Sequence, residues 1–161
     1  MAAVVPAQPR FAAHKSLYAI DPVTGEATKL TAATGWHADA DASLLSILVL
    51  AHDSGNKHGM VWVWAQLTPP RARAAATLPS LVLAMPSGRA RASAAQLLGG
   101  GADDPTADTA RRLSVRFGRP VFVSLDGPKR SGAQGMLAVA AEQMDELMTL
   151  ERCLVTELGA L

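Results

Sequence analysis

The chain has 161 residues, 49% apolar and 18% charged, which is enough apolar matter for one packed core and excludes wholesale disorder. Fifteen Lys and Arg against fourteen Asp and Glu leave a formal net charge of +1, too small to make nucleic acid or an anionic membrane the expected partner. Apolar runs such as Leu44 to Ala51 fall well short of the ~20 residues that span a bilayer. The one cysteine, Cys153, supports neither a disulfide framework nor a zinc cluster. Met1 to Pro9 has no basic n-region and is broken by Pro6 and Pro9, so no secretory signal is expected there. These features point to a soluble protein of the cytoplasm or nucleus.

Met1 to Ala13 is rich in Ala, Pro and Val without periodicity, and residues 1–15 are expected to form a flexible arm ahead of a single domain over 16–161. Leu17 to Leu30 carries Asp21-Pro22 and Gly25 between two short β-prone runs, the chemistry of a hairpin turn. Ala32 to Ser43 is a polar connection. Leu44 to Ala51 and Met60 to Leu67 are β-rich runs about a turn-forming loop, His52 to His58, and predict a second hairpin. A strand is expected at Leu81 to Met85, ended by Pro86, and a weaker one at Ala92 to Leu98, leading into Gly99 to Gly101.

The clearest helix signal spans Asp104 to Gly118. Asp104 suits the N-cap and Pro105 the first helical position, where a missing N–H costs nothing. Asp108 and Arg116 complement the helix dipole, Ala110, Leu113 and Phe117 line one face, and Gly118 followed by Pro120 ends the helix. Val121 to Leu125 then reads as a strand. Ala133 to Leu158 suits a long amphipathic helix, although Met136 to Val139 reads equally well as a last strand.

Side chains alternate across a strand, so Met60, Trp62 and Trp64 share one face while Val61, Val63, Ala65 and Leu67 share the other. Leu81 to Met85 and, mostly, Leu44 to Ala51 and Val121 to Leu125 are likewise apolar on both faces. A sheet with one wet face would alternate apolar and polar residues, so these strands require a cover on each side. Helices, a second sheet layer or another protein could supply it. Two helices do not easily cover both faces of about six strands, which leaves apolar strand surface for an interface.

Chemical signatures are sparse. His14, His37, His52 and His58 have no recognised metal-ligand spacing. Gly99 to Asp104 opens a helix but lacks a phosphate-loop pattern, and Asp103 and Asp104 would repel phosphate. No GxSxG elbow occurs, and Cys153 falls in a helical pattern without a nearby histidine, as a packing residue would. No catalytic, cofactor or metal site is therefore expected. Basic pairs at Arg71/Arg73, Arg89/Arg91, Arg111/Arg112 and Lys129/Arg130 suit solvated loops and helix faces, or a surface for an acidic protein partner.

The order of Leu81-Val-Leu-Ala-Met85, Ala94-Ala-Gln-Leu-Leu-Gly99, Thr109-Ala-Arg-Arg-Leu113 and Arg119-Pro-Val-Phe-Val-Ser-Leu125 resembles the proteasome assembly chaperone 4 family. Met60 to Pro69 looks like that family's aromatic-rich strand and following Thr-Pro, and the resemblance covers about Leu44 to Leu150. It implies an α+β domain, a mainly antiparallel sheet of about six strands packed with two or three helices, the last one C-terminal. It favours Met136 to Val139 as a strand. It also implies a non-catalytic chaperone that pairs with an assembly chaperone 3-like protein and holds α-type subunits while the 20S proteasome α-ring forms, with a homodimer open to the isolated chain. Other assembly factors dock through a C-terminal hydrophobic-Tyr-X tail, and Leu158-Gly-Ala-Leu161 lacks the Tyr, so that route is not expected. Partner-interface candidates are Trp62 and Trp64, followed by Arg89, Arg91, Lys129 and Arg130. Two other readings compete: an adaptor of the same fold with a different client, and a small enzyme with a dispersed site at His52, Asp53 and His58.

Overall fold

Local turn chemistry builds the first elements. Asp21 accepts hydrogen bonds from the backbone N–H groups of Val23 and Thr24, and Gly25 closes the turn with φ +68° and an N–H bond to the Asp21 carbonyl. This joins β1 (Arg10–Ile20) to β2 (Ala27–Lys29) in antiparallel register, Tyr18 opposite Lys29. The computed structural model describes residues 10–21, 23–31, 41–53, 59–70, 78–88, 90–99, 104–126 and 136–159. β1 pairs along its whole length with β3 (Ser43–Asp53), from Arg10 opposite Asp53 to Ile20 opposite Ser43. Residues 10–15, expected in a flexible arm, are therefore part of the sheet. Ladder hydrogen bonds hold them where their composition carried no strand pattern, and residues 1–9 lie outside the described residues.

β3 pairs with β4 (Val61–Thr68), and β5 (Ser80–Pro86) pairs with β6 (Ala92–Gly99), both antiparallel. Helix α1 (Thr106–Phe117) then crosses over to β7 (Val121–Asp126), which lies parallel to β4 and antiparallel to β5. The sheet order is β2-β1-β3-β4-β7-β5-β6, so β7 joins the two halves of the chain. The strands number seven rather than about six, and one pair is parallel. Helix α2 (Met136–Gly159) completes an α+β fold. Met136 to Val139, favoured as a strand, forms the first turn of α2, because an unbroken run of helix-forming residues continues through it without Gly or Pro.

α1 follows its sequence signals. Pro105 has helical dihedrals (φ −72°, ψ −7°), and Asp104 Oδ1 accepts the Thr106 N–H at 2.9 Å, so Asp104 caps the helix. At the other end Gly118 adopts φ +62°, donates to the Ser114 carbonyl at 2.9 Å, and Pro120 prevents continuation.

Both helices lie on one face of the sheet and form a single core with it. Tyr18, Leu45, Ile47, Val49, Val61, Val63, Ala65, Val82, Ala84, Val121 and Val123 meet Ala110 and Leu113 of α1 and Leu150, Cys153 and Leu154 of α2. Arg112 on α1 reaches Glu151 on α2 with Nε–Oε1 at 2.9 Å, a solvent-accessible ion pair that links the two helices. Phe117 packs partly buried at the edge of this core.

Gly99 closes β6 with φ +57°, and a Cβ there would sit 1.9 Å from the Pro79 carbonyl oxygen. That is far inside contact distance, and the obstacle is backbone. Gly99→Ala is expected to destabilise the fold by about 2 kcal/mol or more, from left-handed strain plus displacement of the β5 entry. Urea denaturation checks this, and an unchanged midpoint would contradict it.

Candidate interaction surface

The face of the sheet turned away from the helices is assembled by strand parity. Directly opposed residues share a face, so the register can be followed across the sheet. One row runs Ala13, Leu50, Trp62, Phe122, Leu83 and Ala95, crossing six strands without a polar side chain. The next row runs Lys15, Leu48, Trp64 and Ser124, and the third runs Leu17, Ser46, Gln66 and Asp126. The face is thus apolar at one end and turns polar toward the other, where Gln66 Nε2 donates to Asp126 Oδ2 at 3.0 Å.

Among the described residues no helix or strand is layered over the apolar rows. Trp62 is 38% exposed, Leu50 40% and Met85 49%, whereas their neighbours on the helix side, Val49, Val63 and Ala84, are fully buried. Trp62 and Phe122 stack with centroids 5.6 Å apart and planes at 24°. The stack pre-positions two rigid aromatic surfaces at the centre of the sheet, the residue type that anchors protein interfaces.

Trp62 and Trp64, expected in a core or interface, lie on this open face, Trp64 the more buried of the two. Arg91 is exposed in the turn before β6, which closes through a Ser87 N–H to Arg91 carbonyl bond of 2.9 Å. Arg89, Lys129 and Arg130 lie outside the described residues. Leu50, Phe122, Leu83 and Met85 also belong to the surface. Parity within each strand hinted at them, but only the register puts them in one row.

The helix-covered face holds a different feature, not anticipated from the sequence. Glu157, 1% exposed, is surrounded by side chains from the first hairpin. Lys29 Nζ donates to its Oε1 at 2.7 Å, Tyr18 Oη donates to the same oxygen, and His14 Nε2 faces Oε2. Burial alone would raise the Glu157 pKa; hydrogen bonds from Lys29, Tyr18 and Ser16 outweigh it and hold the carboxyl down to about 2. Burial, then the bond to Glu157, push Tyr18 well above the usual tyrosine range. A signal for Glu157 did exist: Leu150, Cys153, Leu154, Glu157 and Leu158 share one helical stripe, so a glutamate was due on a buried face.

A groove of about 1150 Å³ lies between the β1–β2 turn and α2, bordered by Lys29, Met148, Arg152 and Cys153. Burial first, then the Glu157 charge, push the Cys153 thiol up to about 11, so it stands as a neutral packing group and a poor nucleophile. Among the described residues no cluster of three or more His, Cys, Asp or Glu could hold a metal ion. No described helix is long and apolar enough to cross a membrane. His52 and Asp53 end β3, and His58 lies outside the described residues.

No curated protein is detectably similar to this chain. Among solved structures it is similar to a chain in the crystal structure of a chaperone complex for yeast 20S proteasome assembly, with 17% identity, a TM-score of 0.43, and coverage of 67% of this chain and 87% of that one. The family model described as proteasome assembly chaperone 4 matches residues 45–126, from β3 through β7. That span is just over half of the sequence and includes most of the open face: the chain belongs to the proteasome assembly chaperone 4 family.

Proposed function

We propose that this protein is a non-catalytic chaperone of 20S proteasome assembly, acting on α-type subunits during α-ring formation as a heterodimer with an assembly chaperone 3-like partner. The observation that carries the reading is the apolar row Leu50, Trp62, Phe122 and Leu83 on the open sheet face of a member of this family. A soluble domain gains nothing by presenting stacked aromatics to water, and burial against a second apolar surface recovers that free energy. The partner therefore docks on the open face, while the polar end at Ser46, Gln66 and Asp126 fixes its orientation. The work is done by binding and release, and the buried, protonated Cys153 takes no covalent part.

Affinity purification of the tagged protein from its own cells, with mass spectrometry of the co-purifying chains, tests this. Recovery of α-type proteasome subunits with one further chaperone-sized protein is expected. A soluble, folded bait that recovers neither would overturn the assembly role in favour of an adaptor with another client.

A further inference from the structure

β1 leaves a long bare margin on the sheet. It runs 11 residues while β2 runs three, and β2 pairs only with Tyr18 to Ile20. From Arg10 to Ser16, therefore, no strand among the described residues lies beyond β1. Backbone parity decides which groups this leaves. The Leu17 carbonyl accepts the Leu30 N–H at 2.8 Å, on the β2 side. Successive residues of a strand aim their N–H and C=O groups alternately to either side, so Phe11, Ala13 and Lys15 aim theirs outward as Leu17 does. The residues between them bond to β3, consistent with the His52 N–H turning to the Met60 carbonyl on the far side of β3. A row of outward backbone groups templates an added strand. β1 also precedes residues 45–126, which the family model matches.

We infer that this margin takes up an extended segment of a protein partner, antiparallel to β1 and in line with β2, with an acidic residue opposite Lys15 and an apolar one opposite Ala13. The side chains select that occupant. Lys15 is exposed on the open face, with Leu48 opposite it, Ser46 and Leu50 diagonal to it, and Ala13 and Leu17 on either side along the strand. Among the described residues no carboxylate faces it. A cation set among apolar side chains gains most from a carboxylate placed directly opposite on a neighbouring strand. Ala13 ends the apolar row that runs to Ala95, and an apolar residue on the added strand extends that row.

On the helix-covered side His14 and Ser16 are turned to Glu157, and Arg10 stands opposite Asp53, so these residues add no competing demand. A second copy of β1 does not fit. The strand carries Arg10, His14 and Lys15 and no acid, so two of them would bring cations together. β6, at the opposite margin, has no charge within it and selects no occupant. The β1 edge is separate from the open face, and its occupancy does not rest on the partner proposed there.

An acetylated, amidated peptide of sequence Thr-Glu-Thr-Val-Thr-Val-Thr fits this register, with its glutamate opposite Lys15 and its valines opposite Ala13 and Phe11. Titrated to millimolar concentration into the full chain, it is expected to slow hydrogen exchange, read by NMR, at the Phe11, Ala13 and Lys15 amides, which exchange fast in the free chain. Lys15→Glu is expected to weaken binding at least ~5-fold, and to bind the peptide with lysine in place of its glutamate more tightly than the unaltered chain does. Ala13→Pro deletes one outward N–H and spares the ladder to β3, so it is expected to abolish the protection with an unchanged circular dichroism spectrum. Lys15→Glu leaves the backbone intact and decides the matter if the proline disturbs the fold. Absence of binding at millimolar peptide, binding that Lys15→Glu leaves unchanged, or protection at β6 instead of β1 would each overturn the inference. So would slow exchange of the three amides in the free chain, which would mean that the chain covers this edge itself.

Discussion

Replacing Trp62 with alanine is expected to weaken binding of the partner chaperone by at least ~30-fold, about 2 kcal/mol, while the chain stays folded. The argument rests on where the ring stands. Trp62 is central in a row of apolar side chains, 38% exposed, and held by its stack on Phe122 rather than by the core. Its loss removes little that the free domain uses, about 1 kcal/mol for the stacked pair. In the complex the same ring would be fully desolvated, and truncation forfeits that burial together with its fit to the partner. Val63, the next residue, supplies the opposite control. It is fully buried against the helices, so Val63→Ala is expected to cost about 2 kcal/mol of stability and to affect partner binding only through unfolding. Isothermal titration with the purified partner, paired with urea denaturation of each variant, separates the two effects. Wild-type affinity in Trp62→Ala would place the partner elsewhere.

The same two residues show what the sequence made legible. Parity alone divides Trp62 from Val63, and double-sided apolarity in β3, β4, β5 and β7 already implied more surface than two helices cover. Hairpin β1–β2 was legible because its turn is made by residues within it, the Asp21 carboxylate and the Gly25 backbone. α1 was legible for the same reason, through Asp104, Pro105 and Gly118. The position of β7 was not. Its insertion between β4 and β5 depends on backbone pairing between segments some 60 residues apart, such as Trp62 with Phe122, and no local signal encodes that choice. Register then decides which residues form the open row, so Phe122 and Leu83 could be assigned to the surface only with the fold in hand. The strand at residues 10–15 has no local signal, because Ala12 and Ala13 have weak strand preference and β3 supplies the ordering instead. At Met136 to Val139 the family pattern favours a strand, but the chain's own helix-forming run carries these residues into α2.

Glu157→Gln is expected to lower stability at neutral pH by about 2–3 kcal/mol and to flatten the acid limb of the stability profile. The sign follows from the direction of the shift. The folded-state pKa, about 2, lies below the ordinary 4.5, so the folded protein binds fewer protons there than the unfolded chain. The contribution is therefore fully present above about pH 4.5 and is lost as pH falls toward 2. The groups responsible are Lys29 on β2 and Tyr18 and Ser16 on β1, and the carboxylate is also faced by His14 on β1 and by Cys153 one turn back on α2. A glutamine keeps the shape and can accept one hydrogen bond, but it cannot pair with the Lys29 charge. Lys29 is itself partly exposed, so it returns to water when unpaired, and the cost stays below that of stranding a fully buried charge. Urea denaturation of both proteins at pH 7 and pH 3 measures the effect: the gap between them should be widest at pH 7 and should narrow at pH 3. A gap independent of pH over that range would mean that Glu157 acts through packing alone. The β1–β2 hairpin would then be held under α2 by the apolar contacts of Tyr18 and Ile20 rather than by this ion pair.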